Sequence, residues 1–144
     1  MFQLTYVSKS KSEMNFTDLN NILEVAKTNN STLNITGCLV YHNSRFVQIL
    51  EGEEIEVLQL YEKIKADERH QDVTLLWENN AKRYFGEWNM AFHNPNDDDD
   101  VKQFVENLIL FSDFAEKSSS ALLSFWATVR RVLGDGNIRN LESI

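Results

Sequence analysis

The chain has 144 residues, 42% of them hydrophobic, and its 22 acidic against 14 basic side chains give a net charge of −8. That length supports one domain with a real core, and the charge argues against nucleic-acid binding driven by phosphate contacts, which needs a basic surface. A single cysteine, Cys38, excludes an internal disulfide and suits a reducing compartment, and no apolar run reaches the roughly 18 residues of a membrane span.

Residues 2–8 alternate and predict a first strand with Phe2, Leu4 and Tyr6 on one face. No leader peptide is visible ahead of that strand, so the expected location is cytoplasmic. Residues 9–15 read as a polar loop. Thr17 is the expected N-cap of a helix, with Asp18 in its first turn, and Leu19, Ile22, Leu23 and Ala26 recur at helical spacing. From Lys27 to Thr32, residues that favour caps and turns take over, and the helix is expected to fade there. Residues 35–42 and 46–52 are rich in β-branched and aromatic side chains and flank the short connection 43–45, which predicts a β-hairpin. Cys38 falls within it as a small buried hydrophobe. Glu53 and Glu54 open a second helix with Ile55, Leu58, Tyr61 and Ile64 on one stripe, ended by the polar run Asp67-Glu68-Arg69-His70. Residues 73–77 read as a fourth strand and 88–92 as a fifth, the latter with Trp88, Met90 and Phe92 on one face.

The order β-α-β-β-α-β-β predicts an α/β (α+β) fold, a ferredoxin-like sandwich with a fifth strand added. Its two helices cover one face of the sheet. The far face carries Val7, Val47, Ile49 and Ala91, which are apolar and need a cover. Residues 94–144 are expected to supply it as a helical extension to a domain of residues 1–93. Asn94-Pro95 breaks the chain, and Asp97 to Asp100 favour the start of a helix carrying Val101, Phe104, Val105 and Leu108. Ser118 to Ser120 cap a second one, with Leu122, Leu123, Phe125, Trp126, Val129 and Leu133, ended by Gly134 and followed by a frayed tail.

Common catalytic signatures are missing: no G-x-S-x-G, no P-loop and no G-x-G-x-x-G. The loop after the first strand has no glycine with which to cradle phosphate, which weakens an acylphosphatase reading. The aspartate run lacks the glycine and terminal glutamate of an EF-hand, and His42, His70 and His93 fall on different elements, so no metal is expected. Three polar groups stand against apolar rows: Tyr6, Gln48 and the pair Asn29-Asn30. Gln48 shares its face with Phe46 and Leu50. A buried amide without partners costs about 1–3 kcal/mol, so something must bond it, and a ligand is one candidate. Each group also has a plainer explanation: a core tyrosine with its hydroxyl at the edge, an asparagine that ends a helix.

Taken together, the residues resemble the BLUF family, blue-light sensors that use flavin. The matching pieces are Leu4-Thr5-Tyr6-Val7-Ser8, Asn29-Asn30, residues 35–39, Phe46-Val47-Gln48-Ile49-Leu50-Glu51-Gly52, Tyr61 through His70, Arg83, and Trp88-Asn89-Met90-Ala91-Phe92, in order over residues 1–93. Asn89 and Ala91 stand where the family often has Ser and Gly, and Lys27 stands near where many members carry Arg.

The resemblance implies FAD, with FMN as the alternative, between the two helices. It makes Tyr6 the light-driven electron and proton donor and Gln48 the bridge from Tyr6 to the flavin. It also gives Asn30 the ring's polar edge and makes Ile22 a packing contact. Lys27, Asn29, Lys63, Asp67, Arg69 and His70 become further cofactor contacts, and Trp88 or Met90 the group that senses a rearranged glutamine.

The function so implied is a blue-light photoreceptor, not an enzyme, with a red-shifted signalling state relayed through the C-terminal helices. Its partners are a downstream protein and a second copy of itself, as a homodimer or higher homo-oligomer; neither nucleic acid nor membrane is expected. Two other classes stay open: a ferredoxin-like ligand-binding or scaffold domain without photoactivity, and a small flavin enzyme.

Overall fold

The structure, a computed structural model, describes residues 1–86, 88–93 and 119–132. The elements in chain order are β1 (Phe2–Ser10), α1 (Phe16–Leu33), β2 (Thr36–His42), β3 (Arg45–Gly52), α2 (Glu54–Ala66), β4 (His70–Asn80), β5 (Ala91–His93) and α3 (Ser119–Val132). The predicted aspartate run, the helix carrying Phe104 and Leu108, the Gly134 stop and the tail lie outside the described residues.

Five strands form one sheet in the order β4-β1-β3-β2-β5, antiparallel except for β5, which runs parallel to β2. The first four in that order, with α1 and α2 as crossovers, are the ferredoxin-like sandwich read from the sequence. The β2–β3 hairpin turns on two residues, Asn43 and Ser44, both with positive φ (49° and 59°). A tight turn of this kind matches the twist of the flanking strands, and it returns Arg45 to β3 instead of leaving it in the connection. Register then sets three side chains in line on one face, Tyr6 opposite Gln48 and Gln48 opposite Leu39.

Several boundaries differ from expectation. Asn15, not Thr17, caps α1: its Oδ1 accepts from the Asp18 N–H at 2.9 Å while Asp18 accepts from the Asn15 N–H at 3.3 Å, a reciprocal capping box. The helix also runs on through residues 27–32. Thr28 and Thr32 satisfy their hydroxyls on the carbonyls four residues back, at 3.0 and 3.3 Å, and the turn comes only at Asn34, in the left-handed region at φ 55°. Asn29 and Asn30 are therefore helical residues, not a cap.

In α2 the buried side is Val57 and Tyr61, with Leu60 and Ile64 against it, whereas Ile55 and Leu58 are exposed. The predicted stripe had the right period and was rotated on the cylinder. The helix ends at Ala66, so Arg69 lies beyond it and His70 opens β4, which is longer than the predicted 73–77. The fifth strand is correspondingly shorter than predicted, and Trp88 and Met90 precede it.

The far face of the sheet is covered. Phe125, Trp126 and Val129 of α3 are buried, and the Trp126 indole N–H donates to Thr5 Oγ1 at 3.2 Å. Thr5 pairs with Ile49, in the row opposite Tyr6 and Gln48. Phe85 stands edge-on to Trp126 with centroids 5.6 Å apart. Leu123 is exposed, so α3 does not bury all its apolar residues. Truncating the large indole leaves a cavity and an unpaired threonine: Trp126→Ala is expected to cost about 3–5 kcal/mol, read as a lowered midpoint in denaturant.

Candidate functional site

A cleft of about 220 Å³ opens between α1, α2 and the near face of the sheet. Its floor is the row set by register, Tyr6, Gln48 and Leu39, with Phe46 beside it. One wall is α1 through Ile22, Val25, Ala26, Asn29 and Asn30, and the other is α2 through Leu60, Lys63 and Ile64; Asp67, Arg69 and His70 close one end. Apolar flanks with a few converging polar groups are the usual make-up of a small-molecule site.

Hydrogen bonding orients the floor. The Tyr6 hydroxyl donates to Gln48 Oε1 in a short, buried bond, so the carboxamide presents its oxygen to the tyrosine. Gln48 Nε2 then faces Met90 and donates to its Sδ at 3.3 Å. A thioether is a weak acceptor, so one side of this amide is firmly held and the other loosely. Turning the amide over would set Oε1 against the sulfur, acceptor to acceptor. The observed orientation is thus preferred by a modest margin, about the 0.5–1.5 kcal/mol of one neutral hydrogen bond. Burial, with Tyr61 and Asp67 as lesser causes, pushes the Tyr6 phenol well above its ordinary pKa. Tyr6 therefore keeps its proton at neutral pH.

Asn30 is buried, and its Nδ2 donates to the Asn89 carbonyl at 3.0 Å. Asn89 in turn donates to the Ile35 carbonyl at 3.2 Å. His70 sits between Ser8, at 2.9 Å from Nδ1, and the Ile64 carbonyl, which Nε2 contacts closely. A carbonyl only accepts, so Nε2 carries a proton and donates to Ile64, while Nδ1 shares a hydrogen bond with the Ser8 hydroxyl. Arg69 forks onto Asp67, Nε donating at 3.0 and 3.1 Å. These hydrogen bonds from the guanidinium, above all, hold the Asp67 carboxyl below the usual carboxylate range. Lys63 and Arg69 are exposed and bring positive charge to the rim.

The structure thus brings together Tyr6, Ile22, Asn29, Asn30, Gln48, Lys63, Asp67, Arg69 and His70, and Met90 joins them through Gln48. Two expected residues lie elsewhere. Lys27 pairs along α1 with Glu24 at 3.8 Å and is not among the residues lining the cleft. Trp88 precedes β5, so strand alternation does not carry it to Gln48; it packs on Phe85 at 6.2 Å and under the Arg130 guanidinium at 4.8 Å. Leu39, Phe46, Leu60 and Ile64 line the cleft without having been singled out as contacts; the row of Gln48 already held Phe46. The Cys38 thiol is buried, which together with Glu51 pushes its pKa up, and it is inert. Among the described residues no three His, Cys, Asp or Glu side chains cluster as metal ligands, and no helix is long and apolar enough to cross a membrane.

Fold and cleft together define a ferredoxin-like domain built around a small-molecule site. The chain belongs to the BLUF family, described as sensors of blue-light using FAD, whose profile matches residues 1–91. It is similar to the photoactivated adenylate cyclase subunit alpha of Euglena gracilis, 42% identical over 77 residues, which is 54% of this chain and 8% of that protein. A beta-like cyclase subunit of the same organism aligns at 31% identity over 98% of this chain and 16% of its own length. The chain therefore spans a small part of the curated relatives it matches. Among solved structures, the photo-activated state of BlsA superposes with a TM-score of 0.75 at 29% identity, covering 90% of this chain and 94% of that one. A bacterial light-regulated adenylyl cyclase gives 0.71 at 32% identity, covering 76% and 34%.

The site residues suit a flavin. A flat ring with apolar faces and a polar edge finds Ile22 and Ile64 on opposite walls, the Gln48 amide at the floor and the Asn30 amide on the α1 wall, while Lys63 and Arg69 suit phosphate.

Proposed function

We propose that this chain is a light-sensing module, not an enzyme, that holds FAD between α1 and α2 and signals through a protein partner. Bound there, the flavin supplies the absorption of blue light and the pull on an electron. Tyr6 would be the donor of that electron to the flavin, and of the accompanying proton, which its hydroxyl already directs toward Gln48. The Gln48 carboxamide then rotates or tautomerises, since one side chain carries both a donor and an acceptor end. When the electron and proton return to Tyr6, the changed amide remains, and the light signal persists as a hydrogen-bond pattern without a new covalent bond. Met90, now facing an altered amide, shifts, and the lead into β5 carries the change to α3. Asn30, Ile22, Asn29, Lys63, Asp67, Arg69 and His70 hold the cofactor.

The observation that carries this reading is the chain from the Tyr6 hydroxyl to Gln48 Oε1 and from Gln48 Nε2 to Met90 Sδ at the floor of the cleft. A homo-oligomer and a cytoplasmic setting complete the proposal; the exposed Leu123 and the single buried thiol suit them.

The test is reconstitution with FAD and with FMN, followed by absorption spectra in darkness, after blue light and during recovery. The expected result is a flavin spectrum that moves reversibly to the red, with FAD held more tightly. A flavin spectrum that stays fixed in the light would overturn the photochemical role. Steady turnover of an added reductant in darkness would favour a flavin enzyme.

A further inference from the structure

β3 carries a second buried polar side chain, on the face opposite Gln48. Glu51 is fully buried, and its carboxylate accepts four hydrogen bonds. Oε1 takes one from Thr36 Oγ1 at 3.0 Å and one from the Phe85 N–H at 2.8 Å; Oε2 takes one from Gln3 Nε2 at 2.8 Å and one from the Tyr84 N–H. Gln3 and Thr36 are its direct cross-strand neighbours on β1 and β2, so those bonds only knit the sheet. The other two are different, because they capture backbone of the lead into β5. Arg83 ties the same stretch down from outside, donating to Thr36 Oγ1 at 2.7 Å and to the Asn34 carbonyl at 3.0 Å.

The far end of this lead-in bears Met90. On the way, the Trp88 N–H bonds the Phe85 carbonyl at 3.1 Å, the Trp88 carbonyl accepts from the Gly37 N–H at 3.2 Å, and the Asn89 carbonyl accepts from Asn30. Gly37 must be glycine here, since a Cβ would meet the Ile49 carbonyl oxygen at 2.1 Å and Met90 Cε at 3.3 Å. The same lead-in meets α3 through Phe85 on Trp126 and Trp88 under Arg130. One end therefore rests on Glu51, the other delivers the sulfur to Gln48, and the middle touches the helix on the far face.

We infer that Glu51 is a positioning residue: it anchors the lead into β5, sets how firmly Met90 is held against Gln48, and so sets the lifetime of the lit state. This rests on the photoreceptor reading above. A carboxylate that accepts four donors is a strong anchor, because charge-assisted bonds are about twice as strong as neutral ones. If Met90 must shift when the Gln48 amide turns, that anchor resists the shift and drives the return.

Glu51→Gln keeps the shape but sets an NH2 among donors. In darkness, amide exchange at Tyr84 and Phe85 should rise at least tenfold while the amides of β1 and β3 stay protected. The flavin should remain bound and the red shift should keep its size, since Tyr6 and Gln48 are untouched. Dark recovery should slow at least threefold. Arg83→Met, at a less buried position, should reproduce both effects more weakly, and it decides the matter if Glu51→Gln does not fold. Recovery at the wild-type rate in the folded variants, with or without faster exchange at Tyr84 and Phe85, would make Glu51 a structural residue only and overturn the inference. A wild-type protein that fails to shift would sink the proposed function instead, and the dark exchange data would still report whether Glu51 holds the lead-in.

Discussion

Tyr6→Phe is expected to bind flavin and to show no red-shifted state. The ring stays, with its packing against Tyr61 at 5.6 Å between centroids, so the cleft keeps its shape. What goes is the hydroxyl that donates to Gln48 Oε1. The amide oxygen then loses its buried donor, at a cost of about 1–3 kcal/mol, and the fold should survive with a lower midpoint. The photochemical effect is far larger. Phenylalanine has neither a proton to release nor a readily removed electron, so the step that turns the amide cannot begin. Light-minus-dark absorption checks this, and a shift of normal size in Tyr6→Phe would remove tyrosine from the mechanism.

Gln48→Leu should abolish the shift by a different route. Leucine fills the space, but the Tyr6 hydroxyl is left without an acceptor in a site where burial already disfavours its anion. An unpaired buried hydroxyl costs about 1–3 kcal/mol, so the midpoint should fall by an amount comparable to that in Tyr6→Phe. Excitation can still draw an electron from Tyr6, but no group remains whose hydrogen bonding can reverse. Flavin emission that changes while the absorption maximum stays fixed would fit this account. A normal red shift in Gln48→Leu would show that the glutamine is not the switch.

Much of the site was legible because strand alternation is strict. Once 46–52 is a strand, Gln48 falls in the row of Phe46 and Leu50, and the antiparallel order places it opposite Tyr6. Helices are less forgiving. Thr28 and Thr32 are poor helix formers by propensity, yet back-bonding let α1 continue to Leu33 and carried Asn29 and Asn30 onto the wall of the cleft. In α2 the same period fits two stripes one residue apart, and only packing against β1 and β3 selects Val57 and Tyr61. Trp88 shows how a boundary error propagates: read as strand it shared a face with Met90, but β5 begins at Ala91. Glu51 was open to the logic that found Gln48, being a charged group in the row of Val47 and Ile49. It stands beside Gly52 at the end of the run, where a polar residue is unremarkable. Its partners Tyr84 and Phe85 donate through backbone, which leaves no mark in the side-chain pattern.

The central claim, that light is stored as a reversed Gln48 hydrogen bond, is tested most directly by the light-minus-dark infrared spectrum of protein grown with isotope-labelled glutamine. The account predicts a downshift of a flavin carbonyl band together with a label-sensitive change in one glutamine amide, both lost in Gln48→Leu and both reversing at the rate of dark recovery. A lit spectrum without any glutamine band, or one dominated by a new covalent bond to the flavin, would contradict it.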